Sequence, residues 1–309
     1  MTCDLTNPIF TDETAACAHM ESDRWPTGVN CPFCGSVNVR RMGGKTQAGM
    51  FLCNDCRDKF TVRTGSIFER SHIPLHKWLL ATHLMAASKK GMSALQISRM
   101  LGITYKSAWF MCHRIREAMR PATVAPMGGG GGTVEMDATF IGGSEKNKHA
   151  HKRIKGARGG KGKEPVVALV ERGGAVRSHH VPNVTGKNVG AILNKQLHED
   201  ATLYTDDDKT FRSAGVKPKH RPDAVVKHSL GEYVRGDVHT NTIEGYFSIL
   251  KRGINGVYHH VSEQHLKRYL AEFDFRYNER SALGVNDGER ATRALKGALG
   301  KRLTYRQAD

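Results

Sequence analysis

Thr133-Val-Glu-Met-Asp-Ala-Thr-Phe-Ile141 alternates apolar Val134, Met136, Ala138 and Phe140 with polar Glu135, Asp137 and Thr139. Successive side chains on a strand point to opposite faces, so this period of two predicts a β-strand with one apolar face and Asp137 on the other. Residues 166–170 and 175–181 read as further strands, and Gly173-Gly174 between them is a hairpin signal. Residues 187–198 have a helical pattern, 201–205 form a short strand ending at Asp206, and the chain from Asn241 onward is mostly helical. Strands and helices intermix in this way in a compact α/β domain, expected over residues 133–300.

Upstream of the strand, Pro121, Pro126 and the glycines of 128–132 predict a flexible connection. Residues 74–120 read as helices broken at Gly91 and Gly102. Ser93 is placed to cap a helix whose Leu95, Ile97 and Leu101 bury one face, Gly102 makes a turn, and Ile103 lies beneath it. A second helix from Tyr105 would complete a helix-turn-helix, with Thr104, Lys106 and Ser107 at its exposed start suited to phosphates and base edges. A packing hairpin without DNA contact is the simpler alternative.

Cys31-Pro-Phe-Cys34 and Cys53-Asn-Asp-Cys56 stand 18 residues apart. Each C-x-x-C turn sets two sulfurs on one side of a metal, and four thiolates satisfy tetrahedral Zn²⁺ with no position left open, so the zinc is structural. The intervening length suits a hairpin, with strands at 37–41 and 60–62, and predicts a zinc ribbon over 25–70. Arg40, Arg41, Lys45, Arg57, Lys59 and Arg63 surround it, while Cys3, Cys17 and Cys112 are left as reduced thiols. Residues 1–24 form a leader with a weak helical stretch, too mixed and acidic for a signal peptide.

Lys and Arg number 47 against 30 acidic residues, a formal charge of +17. Such a chain attracts a polyanion, and DNA is the expected partner. No apolar run approaches the roughly 20 residues that span a bilayer, so a cytoplasmic, nucleoid-associated protein with no membrane contact is expected. The basic charge is densest in 146–163, with eight basic residues, no acids and four glycines. This stretch predicts a mobile hairpin or loop after the first strand, with Lys152, Arg153, Lys155 and Arg158 as DNA contacts.

Three acids stand out in the α/β region. Asp137 lies on the first strand, Asp206 heads Asp206-Asp-Asp-Lys-Thr-Phe211, and Glu244 falls in His239-Thr-Asn-Thr-Ile-Glu-Gly-Tyr-Phe-Ser-Ile-Leu-Lys-Arg252. On that helix Ile243, Phe247 and Leu250 share an apolar face, Glu244, Ser248 and Lys251 share another, and Asn241 sits one turn before Glu244. Asp207 and Asp208 are assigned to the start of a following helix, where negative charge suits the dipole. Acids on a first strand, a later strand and a following helix converge in the RNase H-like arrangement, a mixed sheet with flanking helices. There they hold two Mg²⁺ ions about 4 Å apart, with Mn²⁺ as a substitute.

Glu135-Met-Asp-Ala-Thr-Phe-Ile-Gly-Gly143, the segment His239 to Arg252, Val257-Tyr-His-His-Val-Ser262 and Phe273-Asp-Phe-Arg-Tyr-Asn278 together resemble one family. It is the ISXO2-like group of DDE-type bacterial insertion-sequence transposases, which carry an N-terminal zinc ribbon. The resemblance extends over about 25–305 and is most specific over 228–280. It implies Asp137 and Asp206 as the first two catalytic metal ligands, either Glu244 or Asn241 as the third, and Lys251 as the lysine that follows. It further implies Mg²⁺-dependent cleavage and transfer of DNA strands at terminal inverted repeats and target DNA, in a homodimer or larger synaptic complex. Two other readings stand beside it: a metal-dependent nuclease or resolvase without strand joining, and a DNA-binding regulator derived from a transposase. His239, His259 and His260 are read as DNA-facing or structural, and Leu266, Tyr269, Leu270, Phe273 and Tyr277 as core.

Overall fold

Asp12 accepts the Ala15 N–H at 2.6 Å and starts helix α1 (Glu13–Arg24), just after a single 3-10 turn at Pro8–Phe10. A computed structural model describes residues 4–44, 49–143, 145–156, 160–206, 224–226, 234–235 and 237–304. Cys3, Lys45, Arg158, Asp207 and Asp208 lie outside the described residues, as does the side chain of Lys152. The chain divides into two compact units, Met1–Ala122 with Glu279–Asp309, and Thr123–Asn278.

In the first unit β1 (Val39–Arg41), β2 (Phe51–Cys53) and β3 (Lys59–Phe60) form an antiparallel three-stranded sheet. Strand β3 stops at Phe60, short of the expected Val62, because the Thr61 N–H turns to the Thr64 hydroxyl at 3.1 Å. The helical stretch expected in the leader is α1, and it packs on this sheet. Trp25, at the end of α1, meets Phe51 and Phe60 edge-on with ring centres 5.6 and 6.0 Å apart, and Glu21 pairs with Arg41.

Helices α2 (Leu75–Ala87), α3 (Ala94–Leu101) and α4 (Tyr105–Ala118) follow. The Ser93 hydroxyl accepts from Gln96 N–H, Gly102 takes φ 60° between the last two helices, and the Thr104 hydroxyl caps α4 by accepting from Ser107 N–H. A helix-turn-helix results. Only the first turn of α4 is open: Tyr105 and Lys106 are exposed, whereas Ala108, Met111, Cys112 and Ile115 are buried.

The second unit opens with the glycine run, which is a built turn and not a flexible connection. Met127 is buried and bridges Leu197, while Gly128, Gly130 and Gly131 take φ of 78°, 69° and 80°. A Cβ on Gly128 would come within 2.4 Å of the Ala201 Cβ, so this close approach needs a glycine. The chain then enters β4 (Thr133–Ile141), β5 (Glu164–Glu171) and β6 (Val176–His180), crosses through α5 (Gly186–Gln196), and returns as β7 (Thr202–Asp206) and β8 (Ala224–Val226). A short pair, β9 (Val234–Arg235) and β10 (Val238–His239), precedes α6 (Asn241–Gly253) and α7 (Glu263–Asn278).

The five-stranded sheet has the order β6-β5-β4-β7-β8; β5 runs antiparallel to β4 and β6, and β7 runs parallel to β4 and β8. With helices on both faces, this mixed sheet is the RNase H-like architecture. Val134 and Met136 join Val167 and Leu169 against Val189 and Leu193 of α5. The opposite face, on which β4 carries its polar residues, is also covered: Val166, Ala168 and Val170 pack against Ile243, Phe247 and Leu250 of α6 and Leu266, Leu270 and Phe273 of α7. Fully burying one such side chain stabilises by roughly 1.5–3 kcal/mol, so the apolar stripe of α6 alone secures its docking.

Strand β6 is an edge, and α7 covers it. Asn278 accepts the Val176 N–H at 2.6 Å and donates to the Val176 carbonyl at 3.0 Å, while Asp274 accepts the Ser178 N–H at 2.8 Å. Four residues on a helix rise about 6 Å and two on a strand about 6.7 Å, so Asp274 and Asn278 match alternate strand amides.

The α/β unit ends at Asn278, before the expected limit of residue 300. Later residues belong with the N-terminal unit: α8 (Asp287–Lys296) starts with a capping box of Asn286 and Glu289, the Arg290 guanidinium donates to the Ala86 carbonyl at 3.3 Å, and Ser66 bridges Leu299.

Candidate active site

Strand register brings two of the acids together. Met136 lies opposite Thr205 in the parallel β4–β7 pair, so the next residue on each strand, Asp137 and Asp206, come side by side. Neighbouring strands are about 4.8 Å apart. On its other side Asp137 is paired with the small, buried Ala168 of β5.

The electrostatics of Asp137 record what surrounds it. Its carboxyl is lifted from 3.8 to about 7, first by burial and then by the negative charge of Asp206, with Glu244 adding to the rise. The Ala138 N–H, 2.6 Å from Oδ1, and the charge of Lys251 act in the opposite direction. Asp206, Glu244 and Lys251 are therefore all within electrostatic reach of Asp137. Glu244 is exposed on the first turn of α6 and accepts the Thr240 hydroxyl at 3.1 Å. Asn241 is exposed at the head of the same helix. Asp137 and Asp206, with Glu244 near enough to repel Asp137, are hard oxygen donors of the kind a divalent cation suits, since the cation offsets the repulsion.

Thr240, the N-cap residue of α6, makes no side-chain cap bond. Glu135 of β4, wholly buried, supplies the cap instead. Its Oε2 accepts the N–H groups of Thr242 and Ile243 at 2.9 and 3.0 Å, and its Oε1 accepts the Thr242 hydroxyl at 2.9 Å and Arg172 Nε at 2.7 Å. The Arg172 guanidinium continues to the carbonyls of Asp237 and His239 at 2.7 and 3.0 Å and lies 5.0 Å from the Tyr204 ring centre. His239 Nδ1 is 3.4 Å from Glu135 Oε1, which gives this residue a structural place. At the far end α6 passes into a π turn, Ile254–Tyr258, closed by a tight three-residue turn at His259 (φ 59°) in which His260 N–H reaches the Tyr258 carbonyl at 2.6 Å.

The cysteines form the other chemical centre. Cys31 and Cys56 sulfurs are 3.7 Å apart, those of Cys34 and Cys53 3.6 Å, and all four lie within 4.8 Å of one another. Disulfide sulfurs would be about 2.05 Å apart. The edge of a tetrahedron with Zn–S of about 2.3 Å is about 3.8 Å, so the cluster fits zinc. The Cys53 thiol is lowered to about 7, led by the backbone N–H of Cys56. The Cys56 thiol, against the backbone N–H of Asp58, is pushed up to about 12 by burial and the neighbouring sulfurs, so four thiolates this close need a cation to ionise together.

Comparison with known proteins agrees in both halves of the chain. A transposase zinc-ribbon domain model matches residues 11–59 and an ISXO2-like transposase domain model matches 130–278. A protein of the transposable element ISH50 from Halobacterium salinarum is 31% identical over 277 residues, which is 86% of this chain and 91% of that protein. The chain belongs to the ISXO2-like transposase family. As a member it is an enzyme of the DDE transposase type, with the four cysteines inside the matched ribbon segment and Asp137, Asp206, Glu244, Asn241 and Lys251 inside the matched transposase segment. The ribbon match begins at residue 11 and so takes in α1.

Other residues singled out in this ISXO2-like transposase lie away from the acids in sequence. Thr104 and Ser107 spend their polar groups on the α4 cap, and Lys106 is exposed beside them. In the basic stretch after β4, the described residues form two short turns, Glu145–Asn147 and Ala150–Lys152, and so match the loop rather than the hairpin of the two forms expected. Arg153 is held to its own turn, donating to the carbonyls of Lys148 and Lys146 at 2.8 and 2.9 Å, whereas Lys155 is exposed. Among the described residues no helix is long and apolar enough to cross a membrane.

Glu135 and Arg172 escaped sequence reasoning as site residues. The sequence shows only a glutamate two residues from Asp137 on the same strand face; that this face meets the start of α6 is a tertiary fact.

Proposed function

We propose that this transposase cleaves one DNA strand at the inverted repeats of its element and joins the freed 3′-hydroxyl to target DNA. Asp137 and Asp206 are the first two ligands of a pair of divalent ions, Mg²⁺ with Mn²⁺ as a substitute, and Glu244 is the third. Ions bound there would supply the charge that activates the attacking hydroxyl and stabilises the leaving oxygen. The carrying observation is the pairing of Asp137, in the middle of β4, with Asp206 at the end of the adjacent parallel strand β7, with Asp137 pushed up to about 7 by burial and by its acidic neighbours. A buried carboxylate held so unfavourably has a use for a cation.

Lys251, on the Glu244 helix and within reach of Asp137, is suited to orient a DNA phosphate near the cleaved end. The Cys31/Cys34/Cys53/Cys56 site holds structural Zn²⁺. Thr104, Lys106 and Ser107 at the start of α4 contact element ends. Lys152, Arg153, Lys155 and Arg158 hold DNA near the acids, the charge of +17 supporting a polyanionic partner. Two ends are processed together in a dimer or larger synaptic complex, in the cytoplasm and on the nucleoid.

The test uses purified full-length protein, Mg²⁺, and DNA carrying the inverted repeats that flank its gene. Joined products are expected, and both cleavage and joining should vanish in Asp137→Ala. Cleavage without joining would favour the nuclease reading, and an active Asp137→Ala would overturn the catalytic assignment. Glu244→Gln should cost more than the roughly 10–100-fold typical of a group behind the ligands, with Asn241→Ala costing less. The reverse order would assign the third place to Asn241.

A further inference from the structure

We propose that Glu135 and Arg172 are positioning residues that set where α6 stands along the sheet, and so how far the helix-borne ligand lies from Asp137 and Asp206. The inference rests on the reading of Glu244 or Asn241 as the third ligand.

The first N–H groups of a helix have no partner within it. In α6 two of them, from Thr242 and Ile243, end on a carboxylate from a strand rather than on a local cap. That carboxylate belongs to the residue two before Asp137 on β4, and the amides it holds lie between Asn241 and Glu244. One buried group thus ties the two elements that carry the ligands, within two residues of a ligand on each side. Arg172, at the end of the β5–β6 hairpin side of the sheet, balances its charge and straps the segment before α6 through the Asp237 and His239 carbonyls.

The arrangement divides the work by physics. Apolar packing of Ile243, Phe247 and Leu250 is strong but non-directional, so it decides that α6 docks without fixing its axial position. Hydrogen bonds of 2.7–3.0 Å to a fixed carboxylate are directional and set that position. Both Glu135 oxygens are consumed by these partners and the side chain is wholly buried, so Glu135 is not a further metal ligand.

The experiment compares full-length Glu135→Gln, Arg172→Gln and Thr242→Val with Asp137→Ala. Amide hydrogen exchange is followed at Thr242 and Ile243, and strand cleavage is measured as Mg²⁺ is varied. Gln presents one acceptor in place of two, and Val removes only the hydroxyl bond. Glu135→Gln should speed exchange at the two amides, lower cleavage about 10–100-fold at limiting Mg²⁺, and raise the Mg²⁺ concentration for half activity, with recovery at high Mg²⁺. Thr242→Val should shift the Mg²⁺ curve the same way by less. If Glu135→Gln does not fold, Arg172→Gln and Thr242→Val carry the test by the same readouts. An unshifted Mg²⁺ curve in folded variants, whether cleavage is intact or merely reduced, overturns the latch. Failure of the metal-site reading looks different: Asp137→Ala would then retain cleavage.

Discussion

Replacing Asp137 by Asn in metal-free protein separates charge from shape at the heart of the site. The carboxyl is raised from 3.8 to about 7, chiefly by burial and by Asp206. Between those values the folded chain holds a proton that the unfolded chain has released, so folded stability falls as pH rises through the window and the loss is complete above about 7. At about 1.4 kcal/mol per tenfold, the ionised carboxylate costs the second unit about 4 kcal/mol at pH 8. Asparagine carries no charge and its Oδ1 can still accept the Ala138 N–H. Asp137→Asn should therefore stabilise the unit at pH 8 in a chelator, by up to that amount, and do little at pH 4. The three tryptophans, Trp25, Trp78 and Trp109, all lie in the other unit. Unfolding is thus best read from hydrogen exchange of the paired β4 and β5 amides in graded urea. Adding Mg²⁺ should stabilise the parent and not the variant, since a ligand that binds only the folded state adds stability by mass action. A variant no more stable than its parent at pH 8, or equally stabilised at pH 4 and pH 8, would refute the account of Asp137 as a charge held for a cation.

The zinc ribbon should depend on its metal: stripping with a strong chelator, or Cys31→Ser, should release zinc from a site binding one ion per chain and abolish the β1–β3 amide protection, as read by metal analysis and hydrogen exchange. Asn278→Ala leaves the Val176 N–H and carbonyl at the sheet edge without their partner, so it should cost about 1–3 kcal/mol and speed exchange at Val176 selectively. Unchanged exchange there would mean that α7 does not seal the edge.

Features carried by neighbouring residues were legible in the chain itself. The two C-x-x-C turns, the αL Gly102 between capped helices, and the period of two in 133–141 each depend on local geometry, and the structure contains each of them. The glycines of 128–132 misled because positive φ serves a packed turn as readily as a loose one, and only the Ala201 side chain against Gly128 distinguishes them. Likewise, a strand pattern cannot distinguish a face open to water from one facing a helix N-terminus, as Glu135 shows.

The sequence by itself determined the chemical inventory: a four-thiolate metal site, a strongly basic chain, and three acids on elements of recognisable type. Tertiary structure alone decided which of them meet. Asp137 and Asp206 are 69 positions apart and become neighbours only through parallel register. Glu135 caps a helix more than 100 residues away, and the segment after Asn278 returns to the N-terminal unit. Contacts of this kind follow from which apolar faces bury one another, and that is a property of the folded whole rather than of any stretch of chain.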